Sequence, residues 1–159
     1  MLRGVPSPGS SKSDFIGAGG GLCNSLVGVY NVLMGIYEVS VECHFTASHA
    51  VRLPDGTFEA PHKHGWNVIA AFRSERLDPV TGVVVDFQIA QKALAAVAAE
   101  LEDKDLNALV AAGSGASAER VAEFLARALM RRLGGGAGLH HLAVSEAEEC
   151  WATWYPQSP

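Results

Sequence analysis

Residues 62–72 read HKHGWNVIAAF, and they decide the fold: a strand that carries two histidines at its head. A turn-rich segment, LPDGTFEAP at 53–61, leads into it. Further back the pattern alternates, with Tyr37, Val39, Val41, Cys43 and Phe45 on one face and Glu38, Ser40, Glu42, His44 and Thr46 on the other. That is a half-buried strand. Toward the C-terminus, LDPVTG reads as a turn or loop and VVVDF runs into a helix for which Asp86 is a suitable N-cap. Ile89, Ala93, Leu94, Val97 and Leu101 recur at helical spacing. A second helix starts near Ser117, with Val121, Phe124, Leu125, Leu129 and Leu133 on one face. The glycines of GGGAG end it, because glycine relieves left-handed strain at a helix C-terminus. HHLAVSEA and CWATWY read as two final strands, and no internal repeat is present.

The order is therefore strand, strand, helix, helix, strand, strand. Strand pairs around a helical pair imply an α+β fold, an antiparallel sheet with both helices on one face. Such a sheet leaves two edge strands that must be paired or covered, and oligomerisation is a natural solution.

The chain of 159 residues is the size of one domain, and 48% hydrophobic with 18% charged residues is ordinary for a globular protein. A net charge of −5 argues against a general nucleic-acid binder, although a local basic pocket can still take a phosphorylated substrate. Cys23, Cys43 and Cys150 are odd in number and widely spaced, the pattern of a reducing compartment. Residues 1–33 are rich in Gly, Pro and Ser and read as a flexible extension, with the patterned domain spanning 34–159. The apolar run LVGVYNVLMGIY, interrupted by Asn31, falls short of the roughly 20 residues that span a bilayer. A cytoplasmic protein with no membrane partner is the expectation.

His62 and His64 lie two apart in a strand, so both imidazoles point to one face and can reach one ion. His49 ends the first strand segment and supplies a third nitrogen if the two strands are neighbours. Three neutral histidines with an open fourth position are the donor set of a catalytic zinc, whereas structural zinc prefers four closed ligands rich in cysteine. A bare HxH is more often surface or core histidine, so spacing alone leaves both readings open.

These residues resemble the family of 6-pyruvoyl-tetrahydropterin synthases and 6-carboxytetrahydropterin synthases. FTASHAV is similar to its F-x-A-x-H element, and HKHGWNV to its H-G-H-N-Y-x-V element with Lys63 and Trp66 in the glycine and tyrosine positions. TGVVVDF, LEDKDLN, ASAERVA and VSEAEECWATWY resemble four further elements in the right order, over about residues 39–155. The resemblance implies the tunnelling fold, ββααββ subunits whose sheets join into a barrel. It implies a homotrimer or homohexamer with active sites at subunit interfaces. It also implies Zn2+ on His49, His62 and His64, and 7,8-dihydroneopterin triphosphate as the substrate.

Glu146, in the VSEA element, is the expected pterin-binding residue. A pterin edge presents an N–H beside an amino group, and one carboxylate can accept both. The acid–base residues depart from the family. Typical members carry a cysteine shortly before H-x-H, whereas GTFEAPHKH has none. Glu59, three residues before His62, resembles a variant with E-x-x-H-G-H in which the side chain is cleaved to give 6-hydroxymethyl-dihydropterin, a folate precursor. A carboxylate beside zinc can act as general base if its pKa suits the operating pH. The family's Asp–His pair falls on Glu102 and Asp103, which become catalytic candidates without an imidazole. Arg52, Lys63, Arg73 and Lys104 are candidates for the triphosphate. The leading expectation is a zinc lyase making a 6-carboxytetrahydropterin-type product on the route to queuosine. The Glu-type folate variant is one alternative, and a zinc- or pterin-binding relative without chemistry is another.

Overall fold

The computed structural model describes residues 35–110, 115–134 and 138–157. The expected extension over 1–33 and the start of the domain at Met34 lie outside the described residues. Four strands form one antiparallel sheet in chain order: β1 Tyr37–His49, β2 His62–Ser74, β3 Leu139–Ala147 and β4 Cys150–Trp154. Between β2 and β3 come α1 Phe87–Ala99, a single turn α2 Leu106–Leu109, and α3 Ala118–Leu133. The α+β expectation holds, with the one-turn α2 added to the two helices read from periodicity. Four residues are too few to show a helical period.

The strand alternation sorts the sheet into two faces. Val41, Phe45 and Ala47 of β1, Trp66, Val68, Ala70 and Phe72 of β2, and Leu142 and Val144 of β3 are buried beneath the helices. Ala90, Ala93, Leu94, Val97 and Leu101 of the α1 region and Val121, Ala122, Leu125, Ala126 and Leu129 of α3 close the core from the other side. Full burial of each large side chain, such as Leu94 or Leu125, contributes about 1.5–3 kcal/mol relative to exposure. Ile89 leaves the expected stripe and is 59% exposed; Ala90 takes the inward position one residue later. Both candidates satisfy a 3.6-residue period with Ala93 and Val97, and only the packing decides between them.

Asp86 caps α1 as expected, its carboxylate accepting from the Gln88 and Ile89 N–H groups. Gly134 ends α3 in the left-handed region, with φ of 80°. Edge strands β1 and β4 are treated differently. Residues 103–105 run beside the end of β1, where the Asp103 N–H donates to Thr46 O and the Ser48 N–H to Lys104 O. Among the described residues, no helix is long and apolar enough to cross a membrane.

Candidate metal centre and pterin pocket

His49 pairs with His62 across β1 and β2, so the last residue of one strand stands beside the first of the other. His49 continues the inward row of Phe45 and Ala47, and His62 and His64 continue the row of Trp66 and Val68. All three imidazoles therefore sit at one end of the helix-covered face. One ring nitrogen from each lies within 4.8 Å of the others. Ring centroids are 4.7 Å apart for His49–His62 and for His62–His64, and 5.2 Å for His49–His64. Trp66 supports them edge-on, 5.0 Å from His49 and 6.3 Å from His64, and its own ring lies parallel to that of Phe45.

Tautomers follow from the partners. His49 Nδ1 is 2.7 Å from Ala116 O and His62 Nδ1 is 3.0 Å from Ala60 O. A carbonyl only accepts, so both Nδ1 atoms carry a proton, and in the neutral rings both Nε2 atoms are lone pairs. This is the outer-shell arrangement that prepares a histidine for a metal. Gly115 makes the first contact reachable. With φ of +85° it lies so close to the segment just after β1 that an added Cβ would meet Ala50 O and Arg52 N at 3.0 Å.

Glu146 continues the inward row of Leu142 and Val144. It is also the residue skipped when the β3–β4 register passes from Ser145 to Ala147, a local bulge. Its Oε2 comes within 3.4 Å of His49 Nε2. Both atoms are buried, and neither has a hydrogen-bond partner among the described residues. Two facing acceptors in a site where His49 is 1% exposed are costly unless something positive or a donor lies between them. Three imidazole nitrogens beside a carboxylate suit a borderline divalent cation. The donor set therefore fits a resident metal, and the carboxylate fits a ligand that donates N–H groups.

Glu59 is not part of the imidazole cluster itself. Its Oε1 accepts the Val51 N–H at 2.8 Å and stands 3.8 Å from His62 Nδ1, on the protonated side of that ring. It lines a cavity of about 410 Å3 with Ala50, Phe58, Pro61, Asp105 and Asn107. A wider groove of about 750 Å3 runs past Ser40, Glu42, Phe87 and Gln91. It is remote from the imidazoles, so donor geometry locates the site and cavity size does not.

Glu102 and Asp103 are not brought to the histidines within this chain. Glu102 accepts the Thr46 N–H at 3.2 Å. Asp103, with φ of 56°, pairs at 2.7 Å with Lys63, which points to the opposite face of β2 from its histidine neighbours. The hydrogen bond from Lys63 and its charge hold the Asp103 carboxyl below its ordinary range and raise the ammonium above its own. Of the other basic residues, Arg73 pairs with Glu38, and Arg52 Nε donates to Gly56 O.

Asn107 carries no weight in the spacing argument, yet it braces the site. Its Oδ1 accepts the Ala50 N–H and its Nδ2 donates to Ala50 O, both at 2.7 Å. It thereby fixes the backbone directly after His49. The signal available in the sequence was its place at the end of LEDKDLN.

The sequence profile described as 6-pyruvoyl tetrahydropterin synthase matches residues 38–157. The chain belongs to that family. Members of the 6-pyruvoyl tetrahydropterin synthase family are lyases of pterin metabolism, and this chain is accordingly a pterin-processing protein of the lyase type. Among solved structures, the Caenorhabditis elegans 6-pyruvoyl tetrahydropterin synthase is similar in fold at TM-score 0.63 and 16% identity, covering 78% of this chain and 98% of that one. The Plasmodium falciparum enzyme gives 0.62 at 19% identity, covering 76% and 98%. A Plasmodium vivax enzyme, in which a glutamate described as a catalytic residue is replaced by alanine, gives 0.63 at 16%, covering 78% and 99%. At such identities the likeness is one of fold. No curated protein matches the sequence significantly.

Proposed function

We propose that this protein is a zinc-dependent lyase that converts 7,8-dihydroneopterin triphosphate to a 6-substituted pterin, in the manner of 6-carboxytetrahydropterin synthase. The observation that carries the reading is the pair of buried, unpartnered acceptors, His49 Nε2 and Glu146 Oε2, 3.4 Å apart beside two more imidazoles. In this reading His49, His62 and His64 hold the metal and Glu146 receives the pterin. Bound zinc would supply Lewis acidity, making the substrate's side-chain hydroxyls more acidic.

The chain's own residues do the rest. Ala116 O and Ala60 O keep His49 and His62 in the tautomer with Nε2 free. Glu146 accepts the N–H and amino group of the pterin edge, which fixes its orientation as well as adding affinity. The buried wall of Trp66 and Phe45 keeps water from the inner side of the imidazoles. Proton removal falls to Glu59, the carboxylate nearest His62, with Glu102 and Asp103 as further catalytic candidates.

Asp103 and Lys63 face away from their own chain's imidazoles, which supports a role toward a neighbouring subunit's site. A homotrimer or homohexamer would provide one, and β1 and β4 are the edges available for it. The family match at 38–157 supports a domain over 34–159 preceded by an extension over 1–33. The reading carries a cytoplasmic location with it.

A second product reading has its own support. Glu59 stands where a cysteine would be expected, 3.8 Å from His62 Nδ1, which favours side-chain cleavage to 6-hydroxymethyl-7,8-dihydropterin. Incubation of the zinc-loaded protein with 7,8-dihydroneopterin triphosphate, with products read by mass spectrometry, separates the outcomes. A 6-carboxy- or 6-pyruvoyl-pterin supports the leading reading, and hydroxymethyl-dihydropterin the second. Bound but unchanged substrate would refute both and leave a binding protein.

A further inference from the structure

At the opposite end of β2, on the face that the helices leave uncovered, β3 has a second irregularity. Its register with β2 passes from Ala71↔His141 to Phe72↔Leu139, so His140 is an extra residue. In a regular strand, neighbours such as His140 and His141 would point to opposite faces. The bulge brings them together instead, with Nδ1 atoms 3.0 Å apart. Gly138, with φ of +66°, starts the strand against β2, and a Cβ there would meet Arg73 O at 3.0 Å.

Glu38 of β1 lies across from Arg73 of β2 on the same face, and its Oε2 is 3.2 Å from His140 Nδ1. Arg73 donates to that oxygen from both Nε, at 3.0 Å, and Nη2, at 2.9 Å. Tyr155 packs its ring 5.7 Å from that of His140 and 5.4 Å from that of His141. One donor atom from each of Glu38, His140 and His141 lies within 4.8 Å of the others.

We propose that Glu38, His140 and His141 form a second site, for a divalent transition-metal ion, separate from the His49–His62–His64 cluster. Eleven residues of extended strand separate His62 from Arg73, roughly 35 Å at about 3.3 Å per residue, so no single ion serves both.

The chemistry favours a borderline ion. Two imidazole nitrogens and one carboxylate oxygen suit zinc, cobalt, nickel or copper, whereas calcium and magnesium take oxygen ligands. Bonds of about 2.0–2.2 Å place adjacent ligands about 2.9–3.5 Å apart. The observed 3.0 and 3.2 Å separations are of that size. A single proton can bridge only one of these contacts, while a cation satisfies all three donors.

Arg73 has two effects. It orients the carboxylate as an outer-shell partner, and its charge weakens cation binding relative to the three-histidine cluster. A cavity of about 350 Å3, lined by Arg73, Glu75, Gly138 and His140, opens beside the site and leaves room for water or a small anion on the ion.

The test is equilibrium dialysis of chelator-stripped, full-length protein against Zn2+, read as ions bound per chain. His140→Gln/His141→Gln should lose one ion that His62→Gln/His64→Gln retains, and Glu38→Gln should weaken that ion at least tenfold. Co2+ added to the His62→Gln/His64→Gln protein should give a visible absorption band that Glu38→Gln alters. Circular dichroism of each variant checks the fold. These side chains are partly exposed, so the sheet is expected to survive their exchange. If no bound ion is sensitive to His140→Gln/His141→Gln, the proposal is overturned, whatever happens at the other cluster.

Discussion

Replacing Asn107 with alanine tests whether the clamp on Ala50 holds the candidate metal centre in shape. Ala50 is 6% exposed, and its N–H has the Asn107 carbonyl as partner at 2.7 Å. Truncation leaves that N–H unmade, at a cost of about 1–3 kcal/mol. The second bond, from Asn107 Nδ2 to Ala50 O, removes about 0.5–1.5 kcal/mol more, because Ala50 O keeps a weaker donor in the Ala116 N–H at 3.3 Å. The sum is about 1.5–4.5 kcal/mol, or a fall of roughly 10 °C in Tm for a domain of this size. Urea denaturation of the chelator-stripped protein measures it without any contribution from bound metal. The same backbone carries His49, and loss of outer-shell support costs about 10–100-fold in metal affinity. Competition against a chromophoric chelator reads that second effect. A stability loss below about 0.5 kcal/mol would refute the hydrogen-bond reasoning. A destabilised variant with unchanged zinc affinity would refute the coupling between the clamp and the imidazoles.

Glu59→Gln keeps an acceptor for the Val51 N–H but removes the base, so turnover should fall by at least a hundredfold with zinc content unchanged; near-normal turnover would remove Glu59 from the chemistry. Cys43 packs against the core, and burial pushes its thiol up to about 11, so iodoacetamide at pH 8 should label exposed Cys150 well before Cys43 in peptide-mapped mass spectrometry. Equal labelling of the folded protein would contradict that burial. The folded chain keeps this proton where the unfolded chain has already released it, so Cys43 lowers stability as pH rises from its ordinary 9.0 toward about 11. Denaturation midpoints that rise across that interval would count against the sign.

Several features of the protein were legible from local chemistry. The two-residue period of 37–46 and 62–72 and the 3.6-residue stripes of the helices fixed element type, because side-chain direction in a strand or helix follows from backbone geometry alone. Asp86 announced the start of α1 and the glycine run the end of α3, since capping needs are also local. The same period placed His62 and His64 on one face and sent Lys63 to the other. That His49 faces His62 could only be a conditional statement, because it depends on register between strands joined by a twelve-residue connection.

What tertiary structure alone decided lies at the irregular points. Bulges at Glu146 and His140 interrupt the strand pairing that sequence reasoning assumes, and the one at His140 brings two neighbouring imidazoles to one cluster although the period would send them to opposite faces. The pairing of Asp103 with Lys63, the Asn107 clamp and the Ala116 carbonyl on His49 span 40, 57 and 67 residues. No local propensity encodes contacts at such separations. They exist because the core of Trp66, Leu94 and Leu125 brings the α1–α3 connection against the end of β1, and only the packed sheet specifies which donor meets which acceptor.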